Sequence, residues 1–535
     1  MTIEITIYKE PGADPIKREA EAGLTIEQLL GEYRSHLPWR IITARLNGDD
    51  VPLSHVLDKD CELVFCDIRD NEANRTFQRG LCLLYLKAVH DLFGAGARVD
   101  ILNSVNRGIF TKVELKGDGD DGREIAASDL RRLEKRMWEM VDLNLPIESA
   151  GKEGVCRLGD YTNNFYGLMP ARTGYLYSFA LEPARGGVLL RFPHPSDPGK
   201  LAIYKRDVKI FGAYEEEKKF LDSLNLNYID DLNRQIKKGR AAELILMAEE
   251  RHAAAIDSFA AKIKDGNKRV VLIAGPSSSG KTTLSKRLIE AIAAQGGPEA
   301  LYLGTDDYFL DREFAPRDKK GEYNFEGLDA VDVPLFVKNI EELLAGKTAD
   351  LPVFDFIEGK KHFGTRKSRL RKNQIILVEG IHALNKKMSV GLDRDKEFKI
   401  YISPLTQLNI DDHNRIPSTD VRALRRMIRD NRTRGHDVIG TLRLWPKVRT
   451  GESVNIFPYN NEADEIFNST LVYELPVLKK YAVPLLKKVK RGEAAYGHAK
   501  WLLQFLSFFA SIEDDSPIPP YSILREFIGG SRYYK

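Results

Sequence analysis

A glycine-rich segment in the C-terminal half has the pattern of a phosphate-binding loop. It fits G-x-x-x-x-G-K-[ST], with an apolar stretch, Val270–Ala274, before it and a helix-forming stretch, Thr283–Ala294, after it. In such a loop backbone amides point at phosphate oxygens, a lysine reaches the β- and γ-phosphates, and a hydroxyl ligates Mg²⁺. We therefore expect ATP and Mg²⁺ as cofactors, with the nucleotide bound by Gly275, Ser277, Ser278, Ser279, Gly280, Lys281, Thr282 and Thr283.

Two acidic residues follow predicted strands of the same segment. Asp306 stands in the run TDDY after the strand-like ALYLG, and Glu379 follows IILV. In a parallel sheet both would emerge beside the phosphate loop. Phosphoryl transfer to a hydroxyl needs a carboxylate to accept its proton and acidic groups to fix Mg²⁺. Asp306 is the predicted base, and Glu379 with Thr282 the predicted Mg²⁺ site. The alternative is that these acids only cap the elements that follow them.

A basic cluster lies further along the chain, in ALRRMIRDNRTRGHD at 423–437. Several of its arginines are three or four residues apart, so a helix presents them on one side: Arg422, Arg425, Arg426 and Arg429. Such a cluster can stabilise the charge on a transferred phosphoryl group. A solvated face and an RNA-binding stripe are the alternatives. We favour phosphate binding, and the Arg434-Gly435 step suggests a mobile lid.

The elements that position these residues alternate between apolar strands and amphipathic helices. This pattern predicts an α/β unit with a parallel, doubly wound sheet over residues 267–480. The strand-like runs are RVVLIAG, ALYLG, NQIILVEG and FKIYISP, and the helix-like run is TLSKRLIEAIAAQ.

Residues 1–68 predict a small domain of the β-grasp type. Ile3, Ile5 and Ile7 alternate with polar residues as in a half-buried strand. A helical stretch near Thr25–Tyr33 and a hairpin signal at Asn47-Gly48 follow, and CELVFCDI reads as a closing strand. Such a module is more often a docking domain than a catalytic one.

Residues 69–215 predict an α+β domain. A helix is expected over Phe77–Phe93, and GYLYSFAL and GGVLLRF read as strands. Residues 216–266 predict a charged helical connector, and residues 481–535 a helical C-terminal extension.

Composition excludes several classes of protein. The chain has 535 residues, 81 Lys plus Arg against 78 Asp plus Glu, and 43% hydrophobic residues. This near balance of charge argues against a nucleic-acid coat or a membrane-surface protein. Four cysteines in a chain of this size argue against a disulfide framework. No signal peptide or membrane-spanning stretch is visible, so a cytoplasmic protein is expected.

The motifs together resemble those of a known family. The runs GPSSSGKTTLSKRL, TDDYF, YNFEGLDA, PVFDF, ILVEGIHAL and RRMIRDNRTRG resemble, in order and spacing, the phosphoribulokinase and uridine kinase family of P-loop kinases. The N-terminal half resembles a TGS domain followed by the editing-type second domain of threonyl-tRNA synthetase. The whole resembles uridine kinase-like nucleoside kinases that carry both.

The resemblance implies roles for named positions. It implies a kinase of nucleoside salvage that transfers the γ-phosphoryl group of ATP to the 5′-hydroxyl of uridine or cytidine. Asp306 would be the base, with Lys281, Arg429 and Arg434 in the catalytic machinery. The implied substrate-binding residues are Asp306, Tyr308, Phe325, Glu326, Phe354, Phe356 and Arg426.

Several positions depart from the family pattern. The ribose-contacting acid is Glu326 where the family has Asp, Phe354 stands where the family has Tyr, and His436 replaces a common Arg. A base-reading His is absent from 357–360, and His362 is offset, so a purine nucleoside stays open. No H-x-x-x-H occurs in the chain, so neither tRNA editing nor a zinc site is expected.

Two other functions remain open at this point. One is a translation-linked, RNA-binding NTPase, although a guanine-reading N-K-x-D segment is missing. The other is a kinase of the same family with a different hydroxyl acceptor, such as a sugar phosphate or pantothenate. The expected partners are a small-molecule nucleoside, RNA or protein at the N-terminal half, and a second copy of the chain in a homo-oligomer.

Overall fold

The computed structural model describes residues 1–105, 108–115, 123–152, 154–201, 208–318, 321–389, 391–493 and 495–534. The first unit is a mixed sheet of order β2-β1-β7-β4-β5 with one helix packed on it. Asn47 and Gly48 both have positive φ and form the turn between β4 and β5, as expected. Its elements are β1 Thr2–Tyr8, β2 Ile16–Glu21, β3 Leu24–Thr25, α1 Ile26–Tyr33, β4 Ile41–Leu46, β5 Asp49–Pro52, β6 Val56–Leu57 and β7 Cys61–Asp67.

The second unit is built around a long buried helix and an antiparallel sheet. The run GYLYSFAL does not form the expected strand, since a short 3₁₀ turn at Thr173–Tyr175 and a loop precede a strand that begins only at Ala180. The elements are α2 Asn71–Phe93, β8 Arg98–Val105, β9 Gly108–Leu115, β10 Arg123–Glu124, α3 Ala127–Asp142, β11 Ile147–Ser149, β12 Val155–Leu158, β13 Tyr161–Asn164, β14 Ala180–Ala184, β15 Gly187–Arg191, β16 Pro193–His194 and β17 Asp197–Leu201.

Three helices follow: α4 Val208–Ser223, α5 Ile229–Lys237 and α6 Ala241–Asp265. They are not a free-standing connector, because their apolar faces pack into the core of the C-terminal half. The ring of Phe259 on α6, for example, lies 6.3 Å from that of Phe398.

The C-terminal half alternates strands and helices. Its elements are β18 Val270–Ala274, α7 Lys281–Ala294, β19 Glu299–Gly304, α8 Val333–Leu344, β20 Thr348–Asp350, β21 Val353–Asp355, β22 Lys360–His362, β23 Lys367–Arg369, β24 Gln374–Glu379, β25 Glu397–Ser403, α9 Ser418–Thr433, α10 Val438–Asn455, β26 Glu465–Asn468, α11 Glu474–Leu486, α12 Tyr496–Ser507 and α13 Arg525–Ile528.

The central sheet confirms the prediction of a parallel α/β unit. Its order is β19-β24-β18-β25-β26, and every neighbouring pair is parallel. Alternate residues of β18 enter different cores: Val271 and Ile273 face α6, α7 and α9, while Leu272 lies on the face covered by α8. The carboxyl ends of β18, β19 and β24 therefore meet at one edge, where ligands bind in such sheets.

The segment after α11 packs into the core formed by α6, α7 and α9 on one face of the sheet. Phe505 of α12 and Phe527 of α13 are fully buried in it. Residues 481–535 are thus part of the same packed body and not an appendage. Over the described residues, no helix combines the length and apolarity needed to cross a membrane.

Candidate active site

The phosphate-binding loop connects β18 to α7. Gly280 caps α7 with φ of +94°, a left-handed conformation that costs glycine little. A Cβ at Gly275 would lie 2.0 Å from the carbonyl oxygen of Ile402 on β25, and one at Gly280 would lie 2.5 Å from Ile523. Both glycines are therefore required by close packing beneath the loop as well as by its turn.

Polar groups inside the loop are left for a ligand. The hydroxyls of Ser278 and Ser279 are buried, and neither finds a hydrogen-bond partner among the described residues. Lys281 donates from Nζ to the carbonyl oxygen of Pro276 at 3.3 Å. Buried hydroxyls without partners are costly, and phosphate oxygens would satisfy them. The loop therefore fits the phosphates of a nucleotide.

Two arginines of α9 hold the loop from below. Arg422 is 1% exposed, pairs with Glu452 at 2.8 Å and donates to the carbonyl oxygen of Ser277 at 3.1 Å. The other carboxylate oxygen of Glu452 accepts from the amide of Ser277 at 2.9 Å. Arg425, 0% exposed, pairs with Glu474 at 2.7 Å. These two arginines are supports for the loop, not the phosphate clamp that the basic cluster suggested.

Three further arginines of the cluster lie nearer the cleft, whereas Arg432 donates to the backbone carbonyls of Glu526 and Phe527. Arg426 donates to the hydroxyl of Ser277 at 3.0 Å. Arg426, Arg429 and Arg434 share the carboxylate of Asp430, at 3.3, 2.7 and 3.7 Å respectively. One carboxylate for three guanidinium groups leaves a surplus of positive charge at this end of α9, which suits a polyphosphate.

Lys281 lies among three carboxyl groups. Desolvation by the surrounding protein raises the pKa of Asp306, Glu379 and Glu326, in the last case to about 7, while part of Asp306 remains exposed to solvent. The positive charge of Lys281 opposes the rise in all three, and that of Arg434 opposes it at Asp306. Groups whose charges influence one another in this way lie close together. The loop lysine and the predicted base are thus brought together.

The residues predicted for Mg²⁺ are also adjacent. Thr282 Oγ1 donates to Glu379 at 3.0 Å, and Tyr302 on β19 donates to the same oxygen at 2.8 Å. A hydroxyl beside a carboxylate is a donor set that suits a hard cation, and Mg²⁺ is commonly bound by one or two such groups together with phosphate oxygens. The residues present fit the ion.

Aromatic rings cluster beside the segment that carries Asp306 and Asp307. Phe354 and Phe356 lie 5.1 Å apart between ring centroids, and Phe309 contacts both as well as Phe325. Phe356 is 61% exposed, whereas Phe354 is 7% exposed. Asp307 fixes this cluster, since it accepts from the amide of Phe354 at 3.4 Å. Phe356 therefore leaves a ring surface open to a ligand.

Two predicted residues are placed elsewhere. Tyr308 is 1% exposed, packs edge-on against Phe336 and accepts a hydrogen bond from Asn339 at 3.2 Å, so it belongs to the core and not to the substrate cleft. The side chain of Thr283 is turned to the C-terminal segment, where its hydroxyl donates to Glu526 at 2.7 Å. Only the backbone of Thr283 stays available to a nucleotide.

Other residues of the site were not predicted. Glu452 and Tyr302 could not be singled out, because nothing in their local sequence shows that they reach the loop. Phe309 stands in the quoted run TDDYF, so the signal was present. His382, in ILVEGIHAL, is buried, and burial lowers its pKa to about 4, which keeps its ring neutral.

Known proteins resemble this chain over the part that contains the site. The family model described as phosphoribulokinase / uridine kinase family matches residues 270–475. A uridine kinase of Ligilactobacillus salivarius is 31% identical over 176 residues, which are 32% of this chain and 71% of that protein. The chain belongs to the phosphoribulokinase and uridine kinase family. It therefore carries a P-loop kinase for a small molecule in its C-terminal half.

Further relatives agree with this placement. A uridine kinase of Chloroflexus aurantiacus is 27% identical over 199 residues, 37% of this chain and 85% of that protein. The solved structure of a possible uridine kinase from Bacillus stearothermophilus is 27% identical and covers 25% of this chain and 70% of its own. Its TM-score of 0.21 is too low to support a comparison of geometry.

Proposed function

We propose that this family member is an ATP-dependent nucleoside kinase that phosphorylates the 5′-hydroxyl of uridine or cytidine. The observation that supports the proposal is that Lys281 and Asp306 lie close enough to interact electrostatically, with the exposed ring of Phe356 against Phe309 on the same segment as Asp306. A triphosphate gripped at the start of α7 then faces a carboxylate across a gap lined by an aromatic surface.

The geometry supports a direct transfer. The oxygen of the nucleoside 5′-hydroxyl forms the new bond to the γ-phosphorus, the bond to the bridging oxygen of ADP breaks, and the hydroxyl proton passes to Asp306. The raised pKa of Asp306 brings it closer to neutral pH and so favours proton acceptance. Lys281 and the arginines at the end of α9 stabilise the charge on the transferred group.

Mg²⁺, when bound at Thr282 and Glu379, would neutralise charge on the phosphates. Tyr302 orients the Glu379 carboxylate through its hydrogen bond of 2.8 Å. This leaves the Asp306 carboxylate free for the proton.

A flat base suits the aromatic cluster better than a bare sugar phosphate does. Phe356 would stack on the base, and Glu326 would accept from a ribose hydroxyl. His362 on β22 is half exposed and pairs with Glu358 at 3.1 Å. It therefore does not provide a buried group that could hydrogen-bond a pyrimidine base. A purine nucleoside therefore belongs in the test beside uridine and cytidine.

The N-terminal half is proposed as a binding element. Its resemblance to TGS and synthetase editing domains suggests RNA or protein as partner, or a second copy of the chain. Residues 1–68 and 69–215 would then bring the kinase to that partner and would not take part in the phosphoryl transfer.

The proposal is tested with the full chain, ATP and Mg²⁺, and a panel of pyrimidine and purine nucleosides, ribulose 5-phosphate and pantothenate, read by ADP release. We expect uridine or cytidine to stimulate turnover far above the rate without acceptor. Stimulation by ribulose 5-phosphate or pantothenate alone would replace the nucleoside by another acceptor. Hydrolysis that RNA stimulates and no small acceptor changes would instead identify an NTPase switch.

A further inference from the structure

A second cavity lies outside the kinase cleft. It has a volume of about 90 Å³ and lies, open to solvent, between the second unit and the segment that leads into α9. Its walls come from α2, from β8 and β9, from Phe165 and Tyr166, from Trp501 on α12, and from five residues before α9: Ile410, His413, Asn414, Arg415 and Pro417. None of the residues of the candidate active site lines it.

The charged groups that line this cavity are positive. Arg75 and Arg79 lie four residues apart on α2 and so share one face, and Arg415 faces them from the kinase side. No aspartate or glutamate is among the lining residues. Arg75 pairs with Asp420, and Arg79 pairs with Glu72 and also donates to the backbone carbonyls of Tyr166 and Leu168; neither carboxylate is among the lining residues.

Arg415 has no such counterion. Its guanidinium donates to Gln78 Oε1 at 3.4 Å, and none of the ion pairs formed by the described residues includes it. Burial lowers the pKa of Arg415, the carboxylate of Asp420 opposes this shift, and the charge of Arg75 adds to it. A guanidinium without a direct ion pair in a half-buried wall is costly, so folding alone gives little reason to keep it.

We propose that this cavity binds the phosphoryl group of a small ligand. The guanidinium of Arg415, which has no ion pair of its own, can bind phosphate oxygens in forked geometry, and Arg75 and Arg79 beside it add positive charge to the same opening. A space of about 90 Å³ holds a few water molecules, or one group of phosphate size in their place. The anion would supply the counterion that Arg415 lacks.

The site borders α9. Arg415 precedes α9 by three residues, and Asp420 in the first turn of α9 shares Arg75 with the cavity. An anion held here therefore contacts the same arginine that anchors the helix carrying Arg422, Arg425 and Arg426.

The test uses the full chain with Lys281→Ala, which removes the loop cation, and inorganic phosphate as the probe at constant ionic strength. We expect equilibrium dialysis to detect one saturable phosphate per chain. Adding Gln78→Glu places a carboxylate of the same shape beside Arg415 and should weaken phosphate binding at least tenfold. Gln504→Glu, the same change on a half-buried part of α12, should leave it unaltered.

Two readouts keep the outcome clear. Gln78→Glu should melt no lower than its parent, because it gives Arg415 a partner, so a loss of binding cannot be attributed to unfolding. Arg415→Gln provides a second variant with the same expected loss. Equal phosphate affinity in the parent and in Gln78→Glu, or no saturable binding in the parent, overturns the proposal. Neither result depends on which nucleoside the kinase accepts.

Discussion

Lys281 interacts with all three carboxyl groups of the candidate active site. It moderates the pKa of three carboxyl groups that burial would otherwise make weaker acids still. The three differ in surroundings: Glu379 accepts from Thr282 and Tyr302, whereas Asp306 stays open to the cleft beside Arg434. This difference separates a metal-binding carboxylate from one that can take a proton.

Replacing Asp306 by Asn tests that division. The amide keeps the shape of the side chain but cannot accept the hydroxyl proton at neutral pH. We expect ADP affinity close to that of the wild type and turnover lower by about 100-fold or more, the scale of a lost general base. Calorimetry with ADP and a coupled assay measure the two. Asp311→Asn serves as the matched control, and equal turnover in both variants would contradict the assignment.

Glu326 makes a prediction about pH. Burial raises its pKa from 4.5 to about 7, so the folded chain holds this proton more tightly than the unfolded chain does. The contribution of Glu326 to the free energy of unfolding therefore falls as pH rises from about 4.5 through about 7. Glu326→Gln removes this loss.

Thermal melting at about pH 5 and about pH 8 checks the sign. The melting temperature of Glu326→Gln relative to wild type should be higher at the alkaline pH than at the acid pH. The exposed Glu313→Gln should show no such change between the two. A relative melting temperature that falls towards pH 8 would count against a raised pKa.

At the scale of elements, α9 has two tasks along its length. Arg422 and Arg425 are buried and fix the carbonyls of the loop, while Arg426 and Arg429 face Asp430 and the cleft. A spacing of three and four residues places arginines on one side of a helix, whether that side is buried or faces the cleft. The sequence pattern alone therefore did not distinguish the buried arginines from those at the cleft.

Arg422→Met tests the buried support. It leaves the Glu452 carboxylate without its cation, and breaking a buried pair in this way costs about 3–5 kcal/mol of unfolding free energy. ADP affinity should fall as well, because the loop loses the bond to Ser277. Chemical denaturation measures the free energy of unfolding, and a separate titration with ADP measures the affinity. The exposed pair of Arg18 with Glu32 is the control, since Arg18→Met at a solvent-screened pair should leave stability nearly unchanged. A loss no larger than that of the control would show that the pair does not support the loop.

The strand, loop and helix at 270–294 could be predicted from sequence because the pattern is local. Asp306 and Glu379 followed from the rule that parallel strands end at one edge. The partners of Arg422 and Arg425 could not, because Glu452 and Glu474 lie 30 and 49 residues further along the chain. GYLYSFAL misled for a related reason: Tyr175, Leu176 and Phe179 are apolar because they are buried by α2 and its neighbours, not because they form a strand.

At the scale of the whole molecule, the kinase unit is continuous with its neighbours. Asp420 at the start of α9 is buried, and Arg75 and His498 hold its pKa well below the usual range. Trp501 donates to it at 2.7 Å. One carboxylate thus joins the second unit, α9 and the C-terminal helices.

This junction predicts that residues 267–480 do not fold as an independent domain. Alone they would leave Asp420 without these partners and expose the apolar faces that α6 and α12 cover. We expect the fragment to aggregate and to bind ADP at least tenfold more weakly than the full chain. Size-exclusion chromatography measures whether the fragment aggregates, and calorimetry measures its affinity for ADP. A monomeric fragment with full ADP affinity would show that the kinase unit is autonomous.

The support of the loop by α9 has a consequence for affinity. The carbonyls and amide around Ser277 are held by Arg422 and Glu452 within the protein itself. The conformational entropy of the loop is therefore lost once, when the chain folds. Nucleotide binding then carries little of that cost, and its strength reflects mainly the contacts made at the phosphates.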